Sequence, residues 1–175
     1  MRRLRYSVAM SLDGYIADAH DAFDWILSDE TVDFAGLFAR VDTIILGRRS
    51  YDVVRAHGAP WKPGTRVFVV SRTLAPESRD GVTIVSSDPA AVASSLRRES
   101  GDGEIWLFGG GQLFAALLAG NQVDVVEVTI VPVLLGGGVP MLAHTPDRTP
   151  LALTHTHVYP SGMVALYYAV PGAAA

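Results

Sequence analysis

The chain has 175 residues, 49% of them hydrophobic and 18% charged, which is enough apolar material for one sizeable core and too little charge for a disordered chain. A formal net charge of −4 disfavours a nucleic-acid binder, whose surface is usually basic. With no cysteine in the sequence, disulfides, zinc–thiolate sites, iron–sulfur clusters and thiol nucleophiles are all excluded.

The first element is a strand over Leu4–Met10, inside the opening MRRLRYSVAMSLDGYIA. That opening is basic and then apolar, but its apolar run is short and Asp13-Gly14 interrupts it, so it reads as a strand and a turn, not a secretory signal. No stretch has the length of a membrane span, and a cytoplasmic location is expected. In 31–41, Phe34, Leu37, Phe38 and Val41 fall on one helical stripe. Strands follow at Asp42–Leu46, Arg66–Ser71, Val82–Ser86 and Glu104–Phe108, and the longest is Val123–Val131. Their continuous β-branched character suits buried strands of a mostly parallel sheet.

Helices are expected between them. One runs from about Ser50 to Ala56. Another spans 88–98, opened by the Asp88-Pro89 cap, with Val92 and Leu96 inward and Gly101 beyond its end. A third spans 112–119 and stops at Gly120. Leu151–Tyr159 and Met163–Val170, joined by Pro160-Ser161-Gly162, form an antiparallel hairpin, and Pro171–Ala175 is a frayed tail. The expectation is a single α/β domain over 1–175, core about 3–170, with helices on both faces of the sheet.

Ligands in open α/β sheets bind beyond the carboxyl ends of strands. Three such ends combine small residues with donors or cations: Gly47-Arg48-Arg49-Ser50, Ser71-Arg72, and Gly109-Gly110-Gly111-Gln112. Glycine lets a backbone approach a ligand closely, and a helix N-terminus offers unpaired N–H groups to a phosphate. Each run alone also serves as an ordinary turn or a solvated loop; together they outline an anion-binding crevice. The site is neither a Rossmann fingerprint, since GxGxxG is missing from the first strand–helix turn, nor a P-loop, since GKS and GKT are absent.

The segments VAMSLDGYIA, ILGRRSYD, VFVVSRT, IWLFGGGQLF and VTIVPVLLGGGVPML resemble, in order and spacing, the signatures of dihydrofolate-reductase-like proteins, and most closely the reductase C-terminal domain group of riboflavin biosynthesis. The resemblance covers about 3–170 and implies the three-layer fold of that family and an NADPH site. It assigns cofactor phosphates to Gly47, Arg48, Arg49 and Ser50, and the 2′-phosphate to Ser71 and Arg72. The pyrophosphate falls to Gly109, Gly110 and Gly111, often with a cis Gly-Gly peptide, beside Gln112 and Leu113. Ala9 and Met10 are implied beside the nicotinamide, with Ile16 covering it.

Two departures bear on the substrate. Riboflavin-pathway reductases usually carry a GAGT-type loop and an accompanying deaminase domain, whereas this chain has GRRSYD and no deaminase. Dihydrofolate reductase places a pterin-binding carboxylate on its first long helix, and of Asp29, Glu30 and Asp33 none aligns cleanly with it.

On the substrate side, Asp13 is expected to hydrogen-bond a heterocycle or ribose, although Asp-Gly is also a strong turn pair. Trp25 and Phe34 are expected to sandwich a flat ring. Asp29 or Asp33 is expected to donate a proton through water if burial raises its pKa. Gly136–Pro140 is either a conformational loop or part of a substrate mouth, and Trp61 anchors a loop. His155 and His157 share a strand face, and no metal site is expected because a third ligand is missing. The activity implied is NADPH-dependent hydride transfer to a small polar heterocycle, imine or carbonyl. The alternatives are a non-catalytic NADP(H)-binding or regulatory protein and a detoxifying NADPH reductase. A homodimer is expected from the resemblance and from a mean hydropathy of +0.27.

Overall fold

A computed structural model describes residues 1–145 and 147–172. Nine strands form one sheet in the order β10-β11-β8-β1-β7-β3-β4-β6-β5. Its centre is six parallel strands: β8 (Val125–Val131), β1 (Leu4–Ser11), β7 (Glu104–Gly109), β3 (Val41–Gly47), β4 (Arg66–Val70) and β6 (Val82–Val85). The hairpin β10 (Ala152–Val158) and β11 (Val164–Ala169) adds antiparallel to β8, and β5 (Glu77–Arg79) adds antiparallel to β6. A two-stranded ribbon pairs β2 (Tyr15–Ala17) with β9 (Val139–Pro140). The mostly parallel sheet and the antiparallel C-terminal pair are as the strand patterns predict.

Side-chain alternation along the strands sorts the core onto two faces. Ile45, Ile105 and Leu107 pack with Ala93 and Leu96 of α3 (Pro89–Arg98) and with Phe114 and Leu117 of α4 (Gly111–Ala119). Ile44, Leu46 and Trp106 pack with Leu37 of α1 (Phe34–Arg40) and Val54 of α2 (Arg48–His57). Helices therefore cover both faces, which is why these strands are apolar at nearly every position. Trp61 anchors its loop as expected, its ring edge-on to Phe108 with centroids 5.5 Å apart.

Boundaries shift for identifiable reasons. The helix expected over 31–41 begins at Phe34, because the Asp33 carboxylate accepts the Gly36 N–H as its N-cap. Phe34 is 57% exposed while Leu37 is buried, and Val41 already belongs to β3. β8 starts at Val125, two residues late, because Asp124 turns its carboxylate to the Leu4 N–H and the Arg97 guanidinium. β2, β5 and β9 are two or three residues long, too short to leave a periodic trace. Pro171 and Gly172 form a turn, and the remainder of the expected frayed tail lies outside the described residues. Among the described residues no helix is long and apolar enough to cross a membrane.

Candidate dinucleotide site

The carboxyl ends of β7, β3, β4 and β6 are neighbours, and beyond them lies a cleft of about 1120 Å³. Gly47, Ser71, Gly110 and Gly111 all line it, so the strand ends singled out in the sequence converge.

Two helices start at this cleft with no side chain capping them. α2 follows Gly47 and α4 follows Gly110, and neither cap makes a side-chain hydrogen bond. By contrast, α1 and α3 are capped by the carboxylates of Asp33 and Asp88. Free first-turn N–H groups and the positive end of a helix dipole favour an anion. At the turn into α4, Gly109 has φ +141° and the Gly109–Gly110 peptide is cis, as the resemblance implies. A Cβ on Gly111 would stand 2.4 Å from the Pro140 carbonyl oxygen, so the close approach of that backbone to the start of α4 depends on glycine.

Arg48, Arg49 and Arg72 line the same cleft. Arg48 donates to the Thr73 hydroxyl at 2.7 Å and lies 3.6 Å from Asp52, and Arg49 pairs with Asp21. Arg72 has no ion-pair partner among the described residues, and it is exposed. Ser71 is buried, and its hydroxyl accepts the N–H groups of Thr73 and Leu74 at 3.2 and 3.1 Å. That turn leaves Ser71 shaping the loop that presents Arg72. Ser50, Gln112 and Leu113 line the cleft as expected.

Ala9, Met10 and Ile16 are not on this wall. Ala9 and Met10 occupy opposite faces of β1, Ala9 against the Val131 and Met163 cluster and Met10 against the core with Met141. Ile16 is half-buried in β2.

The cleft also takes in residues the sequence reading left out. Ser86, Ser87 and Asp88 lie beyond β6, a fourth strand end to which the same carboxyl-end rule applies. Gly138, Val139 and Pro140 also line it, so the second glycine cluster borders the same cleft.

Asp13 is exposed, and its carboxylate accepts from the Ser11 hydroxyl at 2.6 Å and from the N–H groups of Leu135 and Gly136 at 3.1 and 2.7 Å. Those bonds, the one from Ser11 foremost, hold its pKa below the usual carboxylate range. A proton-donor role for Asp29 required burial to raise its pKa. Instead, hydrogen bonds from Ser161 and Thr31 hold it well below that range, which keeps it ionised and unable to donate a proton near neutrality. Asp33 is spent as a helix cap, and α1 itself, FAGLFAR, carries no carboxylate.

Trp25 and Phe34 have different neighbours. The Trp25 indole N–H donates to the Ala22 carbonyl at 3.2 Å and its ring packs beside Tyr159 and Met163, while Phe34 stacks on Phe38. His155 and His157 contact the Tyr167 and Tyr159 rings, and no group of three metal-ligating side chains occurs among the described residues.

The RibD C-terminal domain model matches residues 2–165 of this chain. The chain belongs to the RibD C-terminal domain family. Membership places it among oxidoreductases of dihydrofolate-reductase-like fold. The Bacillus subtilis protein YyaP is 28% identical over 179 residues, covering 95% of this chain and 94% of its own. A dihydrofolate reductase of Mycobacterium tuberculosis is 32% identical over 123 residues, covering 70% of this chain and 69% of its own. The solved structure of a putative riboflavin biosynthesis protein from Shewanella sp. PV-4 superposes with a TM-score of 0.83 at 28% identity, over 97% of this chain and 99% of that one. A deaminase/5-amino-6-(5-phosphoribosylamino)uracil reductase from Thermotoga maritima shares the fold, with a TM-score of 0.69 at 16% identity. The match takes in 97% of this RibD-type chain and 56% of that longer chain.

Proposed function

We propose that the protein is an NADPH-dependent reductase, acting in the cytoplasm as a homodimer, on a small polar heterocycle or related imine or carbonyl compound of the pterin or riboflavin-precursor kind. The observation that carries the cofactor is the pair of uncapped, glycine-started helices sharing one cleft with an unpaired arginine. Bound there, the cofactor supplies hydride from C4 of its nicotinamide.

The chain's own residues do the holding. First-turn N–H groups of α2 and α4 donate to the phosphate oxygens, with Arg48, Arg49, Ser50 and Gln112 around them. Arg72 takes the 2′-phosphate from the loop that Ser71 folds. Ala9, Met10 and Ile16 flank the nicotinamide at the far end of β1, and Trp25 and Phe34 bound the substrate side. With Asp13 and Asp29 held ionised by their hydrogen bonds, ordered water delivers the balancing proton. The absence of a carboxylate on α1 argues against folate as the main substrate.

Thermal shift tests the reading. NADPH and NADP at about 100 times their dissociation constants should add about 2.7 kcal/mol, which raises the melting temperature by about 5–10 °C, and NADH should add far less. No shift with any of the three overturns it. A second reading, a dinucleotide-binding protein without turnover, draws support from the engagement of the Asp13 carboxylate by Ser11, Leu135 and Gly136. NADPH oxidation across pterins, pyrimidine precursors and quinones separates the two.

A further inference from the structure

One wall of the cleft, Gly138–Pro140 with Ala143, belongs to a long connection after β8 rather than to a helix or a central strand. Its root is stitched down by backbone bonds. Leu12 N–H donates to Val133 O at 2.9 Å, Met141 N–H to Gly14 O at 2.9 Å, and Ala143 N–H to Gly111 O at 3.2 Å. Its tip is different. Leu134 is 70% exposed, and no atom lies within 4 Å of where a Cβ on Gly136 or Gly137 would stand. Apolar packing therefore does not hold the tip. The Asp13 carboxylate does, gripping the adjacent N–H groups of Leu135 and Gly136, one on each oxygen. Ser11, fully buried, aims that carboxylate, and its hydroxyl is fixed in turn by the Tyr15 N–H at 3.0 Å. Two residues beyond the grip, the loop meets β2 so closely that a Cβ on Gly138 would lie 2.1 Å from the Ala17 carbonyl oxygen.

We propose that Asp13 is a positioning residue: with Ser11 it latches the glycine loop after β8 against the β1–β2 turn, and the latch sets how much of the protein holds the cleft wall closed for the dinucleotide. Asp13 touches neither cofactor nor substrate; it acts through Leu135 and Gly136. The proposal rests on the dinucleotide reading of the cleft. A ligand that needs the closed wall binds in proportion to the closed fraction, so releasing the latch weakens binding without removing any contact to the ligand.

The experiment compares the parent protein with Asp13→Ala, Asp13→Asn and Ser11→Ala, measuring NADPH affinity and dissociation rate together with amide hydrogen exchange in ligand-free protein. Asp13→Ala should weaken NADPH about tenfold, because both loop N–H groups lose a charged acceptor and the closed fraction falls. Asp13→Asn, which keeps one acceptor oxygen, should fall between parent and Asp13→Ala. Ser11→Ala should shift in the same direction if Asp13→Ala fails to fold. Exchange at 134–138 should rise in each variant while the amides of β1 and β8 stay protected. A fall in melting temperature with unchanged NADPH affinity of the folded protein overturns the latch and leaves the reductase reading standing. Failure of the parent to bind NADPH overturns the reductase reading. The exchange measurement still decides the latch, which falls if 134–138 exchanges alike in parent and variants.

Discussion

Arg72 decides cofactor choice in this reading because of what surrounds it. Arg48 and Arg49 already have acidic neighbours, whereas Arg72 is exposed at the cleft with no ion-pair partner among the described residues. Arg72→Ala should therefore weaken NADPH by about 10- to 100-fold, the worth of a charge-assisted hydrogen bond to phosphate, and leave NADH nearly unchanged. Fluorescence titration with both nucleotides checks this, and equal weakening of the two would assign Arg72 elsewhere. Asp29 yields a prediction of opposite sign to the one its sequence position suggests. Its folded pKa is depressed by Ser161 and Thr31, so its contribution to stability is full above the ordinary carboxylate value of about 3.9 and is lost as pH falls below that. Acid unfolding should move to higher pH in Asp29→Asn, while any limb of the rate profile between pH 5 and 9 stays where it was. Loss of that limb would restore Asp29 as the proton donor. The arginines and glycines were legible in sequence because their chemistry travels with residue type. The fates of Asp13 and Asp29 were not, since what binds a carboxylate is set by chain 122 and 132 residues away.

At the scale of elements, strand ends and helix caps position the cleft, and two of them can be broken separately. The start of α4 passes under the loop after β8, where a Cβ at Gly111 would press on the carbonyl oxygens of Pro140 and Met141 at 2.4 and 3.0 Å. Backbone cannot rotate away as a side chain can, so Gly111→Ala should cost about 1–3 kcal/mol in stability and displace the cleft wall. Urea denaturation and NADPH titration together should show both losses. Far from the cleft, Asp124 ties α3 to the starts of β1 and β8: one oxygen accepts from Arg97, which is 2% exposed, at 2.8 Å, and the other from Leu4 N–H at 2.7 Å. Asp124→Ala removes a charged acceptor from a buried guanidinium and should destabilise by about 1–3 kcal/mol with cofactor selectivity unchanged. The main strands and helices were readable because apolar runs and caps such as Asp88-Pro89 are local signals. Asp124 stood inside a run that read as strand, and its capture by Arg97 is a contact between elements that no local pattern carries.

For the molecule as a whole, the two edges of the sheet differ sharply. β5, at one end, has three residues, two of them charged, the short and charged kind of edge that resists further pairing. β10, at the other end, has seven residues, ALTHTHV, all exposed, without proline, lysine or acid. Leu153 and Val158 on it are 56% and 69% exposed. An uncharged, unblunted edge of that length is a template for another strand. In the proposed homodimer, a two-fold axis through it would pair β10 with its own copy antiparallel and satisfy both edges in one closed contact. The hairpin was legible in sequence, but its place at an edge was not, because strand order comes from pairings across the whole chain. Light scattering should give the parent twice its 18.7 kDa chain mass. Thr156→Lys sets like charges near the axis and should shift the protein to monomer at micromolar concentration, with NADPH affinity kept because the cleft lies over β7, β3, β4 and β6. A dimer that survives Thr156→Lys would move the interface away from β10, and a monomeric parent would remove the homodimer from the proposal.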